Sequence, residues 1–262
     1  GKSELTITRS RWMLVAAAML GATIAQASKS DEETKAIFAS LLKQHADSVV
    51  RVSFVIVSSY GGQEQRQESS VTGAIVDASG LVLVPKLVVD PSFPGMNRMS
   101  AEQRMGFKLE SRDFRVHFAG QDKPFEAEAL TTDADQGIAW LRITEPDAKL
   151  LKPIDLKRRE VAEPGMAYYV LERLEERYGD APIISWGVVQ GAVLVPQPAH
   201  IGTGAAGLAF NAEGGVLGYV SMDFDESENP GSASRPSARM LLTSAARLAS
   251  ATLRAKSLLE AE

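Results

Sequence analysis

Three histidines, His45, His117 and His200, are the only imidazoles in the 262 residues, and there is no cysteine. Without cysteine, disulfides and thiolate metal sites are excluded. The histidines are spread along the chain with no ligand-like spacing, so neither a metal nor a cofactor is expected. Acyl transfer would need a hydroxyl, an imidazole and a carboxylate acting together. His200 and Thr203 are three residues apart and make a conceivable dyad, Ser221 is a further hydroxyl, and Asp133 and Asp135 are acids just before Gly137. His117 reads as a polar, outward-facing residue on a strand.

Composition narrows the partners. The net charge is -5 with 45% hydrophobic residues, which suits a chain with a sizeable core and no basic face for nucleic acid. The run Lys157-Arg158-Arg159 is followed at once by Glu160 and reads as a solvated loop. At the N-terminus, Lys2, Arg9 and Arg11 precede an apolar run from Trp12 to Ala25 that ends in Ala25-Gln26-Ala27. This is the pattern of a signal peptide over residues 1–27, cleaved after Ala27. The alternative is an uncleaved membrane anchor, although the run falls short of the roughly 20 residues that span a bilayer. In both cases the folded part, residues 30–262, is expected outside the cytoplasm, periplasmic or secreted.

The elements that would position these groups are mostly short strands. Ser30 or Asp31 caps a helix to about His45, with Ile37, Leu41 and Leu42 on one face. Val49 to Val57 is rich in β-branched residues and reads as a strand, and Gly61 to Ser70 as a polar, turn-like stretch. Val71 to Val84 reads as two strands joined by Asp77-Ala78-Ser79-Gly80, with Gly80 supplying a positive φ and Pro85 ending the second strand. Pro91 to Arg112 is a long excursion with one helical turn near Ala101 to Met105. Further strands are expected at Phe114 to Phe118, Phe125 to Thr131, Ile138 to Ile143, Ala167 to Leu171, Ile183 to Val195, Gly207 to Phe210 and Val216 to Met222. Residues 223–238 read as a mobile acidic and Gly/Ser/Pro-rich loop. Thr243 or Ser244 then caps a helix to about Leu259, whose apolar members are Ala246, Leu248, Ala249, Leu253 and Leu258. Strands at this density indicate an all-β barrel or sandwich.

Three blocks extend this reading. Gly73-Ala-Ile-Val-Asp77-Ala-Ser-Gly80-Leu-Val-Leu-Val-Pro-Lys-Leu87-Val-Val89, then Ala127-Glu-Ala-Leu-Thr-Thr-Asp133-Ala-Asp135-Gln-Gly137-Ile-Ala-Trp-Leu-Arg-Ile143, and Gly202-Thr-Gly204-Ala205-Ala206-Gly207-Leu-Ala-Phe-Asn211 occur in that order. Their sequence resembles the protease domain of HtrA-type, trypsin-like serine proteases from about Phe38 to Leu248. The resemblance implies an all-β, trypsin-like double β-barrel with a short N-terminal and a C-terminal helix. It places the family's general-base histidine at Leu87, the orienting aspartate at Gly137 and the nucleophilic serine at Ala205. Asp133 and Asp135 are out of register by four and two residues. His200 would enter from the wrong segment of this fold to serve Thr203. No PDZ module is recognisable after residue 238.

An aliphatic side chain, a bare backbone and a methyl group cannot relay a proton or attack a carbonyl, so neither protease activity nor any catalytic residue is expected. The resemblance then implies a pseudoprotease that binds an extended peptide or partner protein in the cleft between its barrels. The cleft candidates are Leu87, Ala205, Ala206 and Gly207, where Ala206 in place of a glycine restricts the turn that would aim oxyanion-hole amides. Met96, Met99 and Met105 form a candidate partner loop at the rim. The rival readings are a regulatory subunit of an active relative and a serine-type endopeptidase with relocated catalytic residues.

Overall fold

The computed structural model describes residues 30–92, 96–194, 197–224 and 238–261. The expected signal segment and the expected loop after Phe224 lie outside the described residues. Among the described residues no helix is long and apolar enough to cross a membrane.

Helix α1 covers residues 30–45. Six antiparallel strands follow it: β1 (Val49–Tyr60), β2 (Gln63–Asp77), β3 (Leu81–Pro85), β4 (Phe107–His117), β5 (Phe125–Asp133) and β6 (Ile138–Ile143). They close a barrel in the order β1-β2-β3-β6-β5-β4. Helices α2 (Lys86–Val89) and α3 (Ala101–Met105) lie between β3 and β4. The second barrel is β7 (Ala167–Arg173), β8 (Pro182–Val193), β9 (Ala199–Gly202), β10 (Gly207–Phe210), β11 (Val216–Phe224) and β12 (Ala238–Ser244), closed as β10-β11-β12-β9-β8-β7. Helix α4 (Ala245–Glu260) follows β12 directly.

Alternation explains where each strand buries its residues. Val50, Val52, Phe54, Val82, Val84, Ala139 and Leu141 fill the first barrel. Leu81, Leu83, Ile138 and Trp140, from the other faces of the same strands, pack between the barrels with Leu208, Phe210 and Tyr219. The unbroken apolar run of β3 is therefore buried on both sides. In β11, Leu217 and Val220 fill the second barrel while Val216 and Tyr219 face the interface. That phase change occurs at Gly218, which has φ 148 and sits where a Cβ would be 1.8 Å from the Thr243 carbonyl oxygen. The register of β10 and β11 slips beside it.

Each terminal helix reaches across to the barrel farther from it in sequence, although α4 also packs on β11 of its own barrel. On α1, Leu41 is fully buried in the interface core, the Gln44 side-chain amide donates to the Glu213 carbonyl at 3.3 Å, and the His45 ring lies 2.9 Å from the Gly214 carbonyl. Those contacts are to the second barrel, although α1 precedes the first. On α4, Lys256 pairs with Asp77 at 3.0 Å and Arg254 with Asp133 at 3.7 Å, both on the first barrel.

Several sequence expectations need correction. Gly61 to Ser70 is not one long turn: Gly61 and Gly62, at φ 58 and 83, form a two-residue hairpin turn, and residues 63–70 are strand. This strand carries no apolar alternation because most of its side chains are exposed. The excursion ends at Gly106 rather than Arg112, since β4 starts at Phe107 with Phe107, Leu109 and Ser111 half-buried and Lys108, Glu110 and Arg112 exposed between them. Strands β9 and β12 were not anticipated, and β12 runs straight into α4. On α4 the inward residues are Ala245, Leu248, Ala251, Thr252 and Ala255, whereas Leu253 and Leu258 are exposed. The helical turn at Ala101, the Asp77 to Gly80 hairpin and the Ser244 cap appear as expected, with Ser244 accepting from the Arg247 amide.

Candidate functional site

The chain brings two of the three expected triad positions, Gly137 and Ala205, beside the C-terminal half of β11. Pro85 is opposite Ile138 in the β3–β6 ladder, and the Lys86 amide donates to the Gly137 carbonyl at 2.9 Å. Helix α2 therefore begins against Gly137 and carries Leu87, which is 51% exposed. Gly137 has φ 66, and a Cβ there would be 3.1 Å from the Cβ of Ser221 on β11. Gly207 is opposite Val220 in the β10–β11 ladder, so Ala205 and Ala206 precede β10 beside the same half of β11. Ala205 packs against the core of the second barrel.

The loop containing Ala205 is pressed onto its own barrel. The Thr203 amide donates to the Val188 carbonyl at 3.2 Å, and the Thr203 hydroxyl accepts from the Val188 amide at 2.9 Å. The Gly204 amide donates to the Tyr168 hydroxyl at 2.6 Å. Tyr168 is wholly buried, and burial pushes its hydroxyl above the ordinary phenol pKa, with the Gly204 bond acting in the opposite direction. Glycine is required on both sides of this contact. A Cβ on Gly187 would be 2.4 Å from the Gly204 nitrogen, and one on Gly202 would be 2.8 Å from the Tyr168 oxygen. Thr203 thus has a structural hydroxyl. His200 pairs with Leu242 and Ala192 in the ladders of β9, and no bond joins it to Thr203.

A cleft of about 400 Å³ separates the barrels, lined by Thr72, Leu83, Pro85, Val170, Ala206 and Gly207 among others. Ala206 and Gly207 thus line it, whereas Leu87 and Ala205 do not. Ala206 is not among the residues with positive φ, so it takes an ordinary backbone conformation. Beside this cleft, β11 runs on to Phe224, while β10 accompanies it only as far as Val220. Residues 221–224 keep a ladder with β12 on one side, and among the described residues no strand is laddered to their other side. On the proposed partner loop, Met105 is 85% exposed and Met96 and Met99 are half-buried. No group of three or more His, Asp or Glu side chains among the described residues could hold a metal ion.

Sequence reading missed one imidazole–hydroxyl pair. The Ser53 hydroxyl is 2.8 Å from His117 Nε2, across the outer face of the first barrel. The alternation of both strands places each side chain outward, but only the β1–β4 register brings them together.

Two six-stranded antiparallel barrels, flanked by a helix at each end and separated by a cleft, define a trypsin-like double β-barrel. No protein-family model matches the chain, and no curated protein matches it in sequence. Solved structures do. The apo MamO protease domain from Magnetospirillum magneticum is similar at a TM-score of 0.50 and 15% identity, over 80% of this chain and 98% of that one. A serine-to-alanine variant of the HtrA-type protease AlgW, solved with a decapeptide, is similar at a TM-score of 0.52 and 14% identity, over 78% of this chain and 62% of that one. At these identities the likeness establishes the fold.

Proposed function

We propose that the protein is inert as a protease and binds an extended peptide along residues 221–224 of β11, outside the cytoplasm. What supports this above all is the state of the loop around Ala205. The Thr203 and Gly204 amides are already donated within the barrel, and no hydroxyl stands where the resemblance puts the nucleophile. A tetrahedral oxyanion needs donors aimed at it. The unpaired edge of β11 offers main-chain donors and acceptors to a peptide strand, with the neighbouring cleft available to its side chains. The decapeptide held by the AlgW variant is consistent with such an occupant. The export reading rests on the residue pattern before Ser28 alone.

The test has two parts. Purified protein incubated with casein should yield no new fragments. A fluorescent extended-peptide library should bind, and of the single prolines at Met222 and Asp223, the one whose N–H faces away from β12 removes a donor from the peptide edge and should weaken binding at least about tenfold, near 1.4 kcal/mol. Casein cleavage, or binding unaffected by the prolines, overturns the reading. Met105→Ala separates a rim contact from the edge: it changes recovery of a whole-protein partner and leaves the peptide affinity alone.

A further inference from the structure

Away from the inter-barrel cleft, a groove of about 860 Å³ runs between the outer face of the first barrel and the turn that joins β7 to β8. Its walls include Arg51, Ser53, Asp113, Arg115, His117 and Glu176. The β1–β4 register pairs Arg51 with His117 and Ser53 with Arg115. Ser53 and His117 are therefore diagonal neighbours on one face of the ladder, close enough for side chains to meet. The residues between them, Val52 and Val116, point into the barrel and fix that face. Just beyond, the register slips between Ser53 and Val55. The extra residue Asp113 takes a left-handed φ of 57, the kind of bulge and strain that often borders functional sites.

Arg51, Arg115, Asp180 and Glu176 act on the imidazole, and Arg66, Glu68, Asp113, Glu175 and Arg177 line the same groove. Burial holds the His117 pKa below 6.5, Arg51 and Arg115 push it the same way, and Asp180 and Glu176 oppose them. The ring is thus a neutral base at neutral pH, with carboxylates near enough to favour the imidazolium once it forms. Arg115 lies directly across the ladder from Ser53 and lines the same groove, where its cation can offset charge developing on an attacked carbonyl.

From this arrangement we infer that Ser53 and His117 are a nucleophile and general base, and that the groove accepts the acyl group of an activated ester. The Ser53 oxygen attacks the ester carbonyl while His117 Nε2 takes the hydroxyl proton. The carbon–oxygen bond to the leaving group then breaks, that group departs with the proton from His117, and an O-acyl serine remains. Water, deprotonated by His117, attacks this ester, releases the carboxylic acid and returns the proton to Ser53. An amide, with its poorer leaving group, is not a substrate, so the inference goes beyond the cleft reading and does not depend on it.

The test uses the described chain with p-nitrophenyl acetate, following nitrophenolate and locating acetyl groups by peptide mass spectrometry. A single acetyl on Ser53 is expected, none in Ser53→Ala, and acylation about 100-fold slower in His117→Ala, the usual worth of a positioned base. His117→Asn keeps a hydrogen-bonding partner for Ser53 but no basic nitrogen, and should show the same loss while retaining the wild-type melting temperature. His200→Ala removes an imidazole from the other barrel and should keep the wild-type rate. The rate should rise with pH through a midpoint below 6.5 and level off above it. Acetylation scattered over lysines, Ser53 acetylation that survives His117→Asn, or a rate flat below pH 6.5 overturns the proposal. Peptide binding along β11 is read separately by anisotropy, so each reading can fail alone.

Discussion

At the scale of single residues, the second barrel turns on Tyr168 and the glycines around it. Its wholly buried hydroxyl accepts the half-buried Gly204 amide, so Tyr168→Phe leaves that donor without its protein partner. The expected cost is about 0.5–1.5 kcal/mol, read by urea unfolding. Gly187→Ala is worse in kind, because the new Cβ meets main chain rather than a movable side chain, and the loop at Ala205 must shift. The same packing governs reversion. A variant carrying Leu87→His, Gly137→Asp and Ala205→Ser together should still show no turnover of a peptide p-nitroanilide. The Thr203 and Gly204 amides remain occupied, and Gly137→Asp puts a side chain at positive φ, which costs roughly 1–2 kcal/mol, against Ser221. Turnover well above background would mean that the loop opens easily.

His45 gives a pH signature at the same scale. It stacks on Phe210 with ring centroids 4.1 Å apart, and burial holds its pKa below 6.5, with the Gly214 carbonyl opposing and Arg158 assisting. The folded state therefore binds fewer protons than the unfolded chain between the two pKa values. This contribution is complete above 6.5 and lost as the pH falls through the folded pKa. Melting temperatures measured between about pH 7.5 and pH 5 should fall with acid, and less steeply in His45→Gln. None of this was readable beforehand. A glycine in a sequence does not announce which backbone it touches, and an isolated histidine does not announce its stacking partner.

Among the elements, helix α4 separates pattern from packing. The sequence gives Leu248 and Leu253 equal claims to the buried face. The structure buries Leu248 completely and leaves Leu253 68% exposed, because small residues, Ala245, Ala251 and Ala255, make the seam and let the helix lie close to the sheet. Leu248→Ala should cost about 2–5 kcal/mol, and Leu253→Ala no more than about 0.5 kcal/mol, in parallel denaturation curves. The strands divide in the same way. The Asp77 to Gly80 hairpin was legible because its turn chemistry is local: the Asp77 carboxylate accepts from the Ser79 amide and hydroxyl. Strand β12 was hidden, since Ala-Arg-Met-Leu-Leu-Thr-Ser has little β-branching and flows into a helix with no intervening turn. The polar half of β2 was hidden because a strand exposed on both faces has no period to detect.

For the molecule as a whole, the three sequence blocks carried the double barrel, and their spacing sufficed even though the overall identity to solved structures is 14–15%. They could not convey how the halves are joined. Arg51 of β1 pairs with Asp180 of the second barrel, with side chains 8% and 18% exposed. Arg173 of β7 donates to the carbonyls of Ala46, Val49 and Asp180. These arginines lie in unremarkable strands, and only the tertiary pairing gives them work. Asp180→Ala leaves the Arg51 cation buried without its partner and should cost about 3–5 kcal/mol, seen as an earlier urea midpoint with an unchanged slope.

The crossed placement of the two terminal helices has its own consequence for biogenesis. As the chain emerges from its N-terminus, α1 appears long before the sheet it docks on, and the helix whose Lys256 and Arg254 reach back to Asp77 and Asp133 appears only after both sheets. The first barrel therefore gains those contacts only once the second is complete. Halves divided in the connection between β6 and β7 and expressed apart should each remain protease-sensitive, and should regain resistance when mixed.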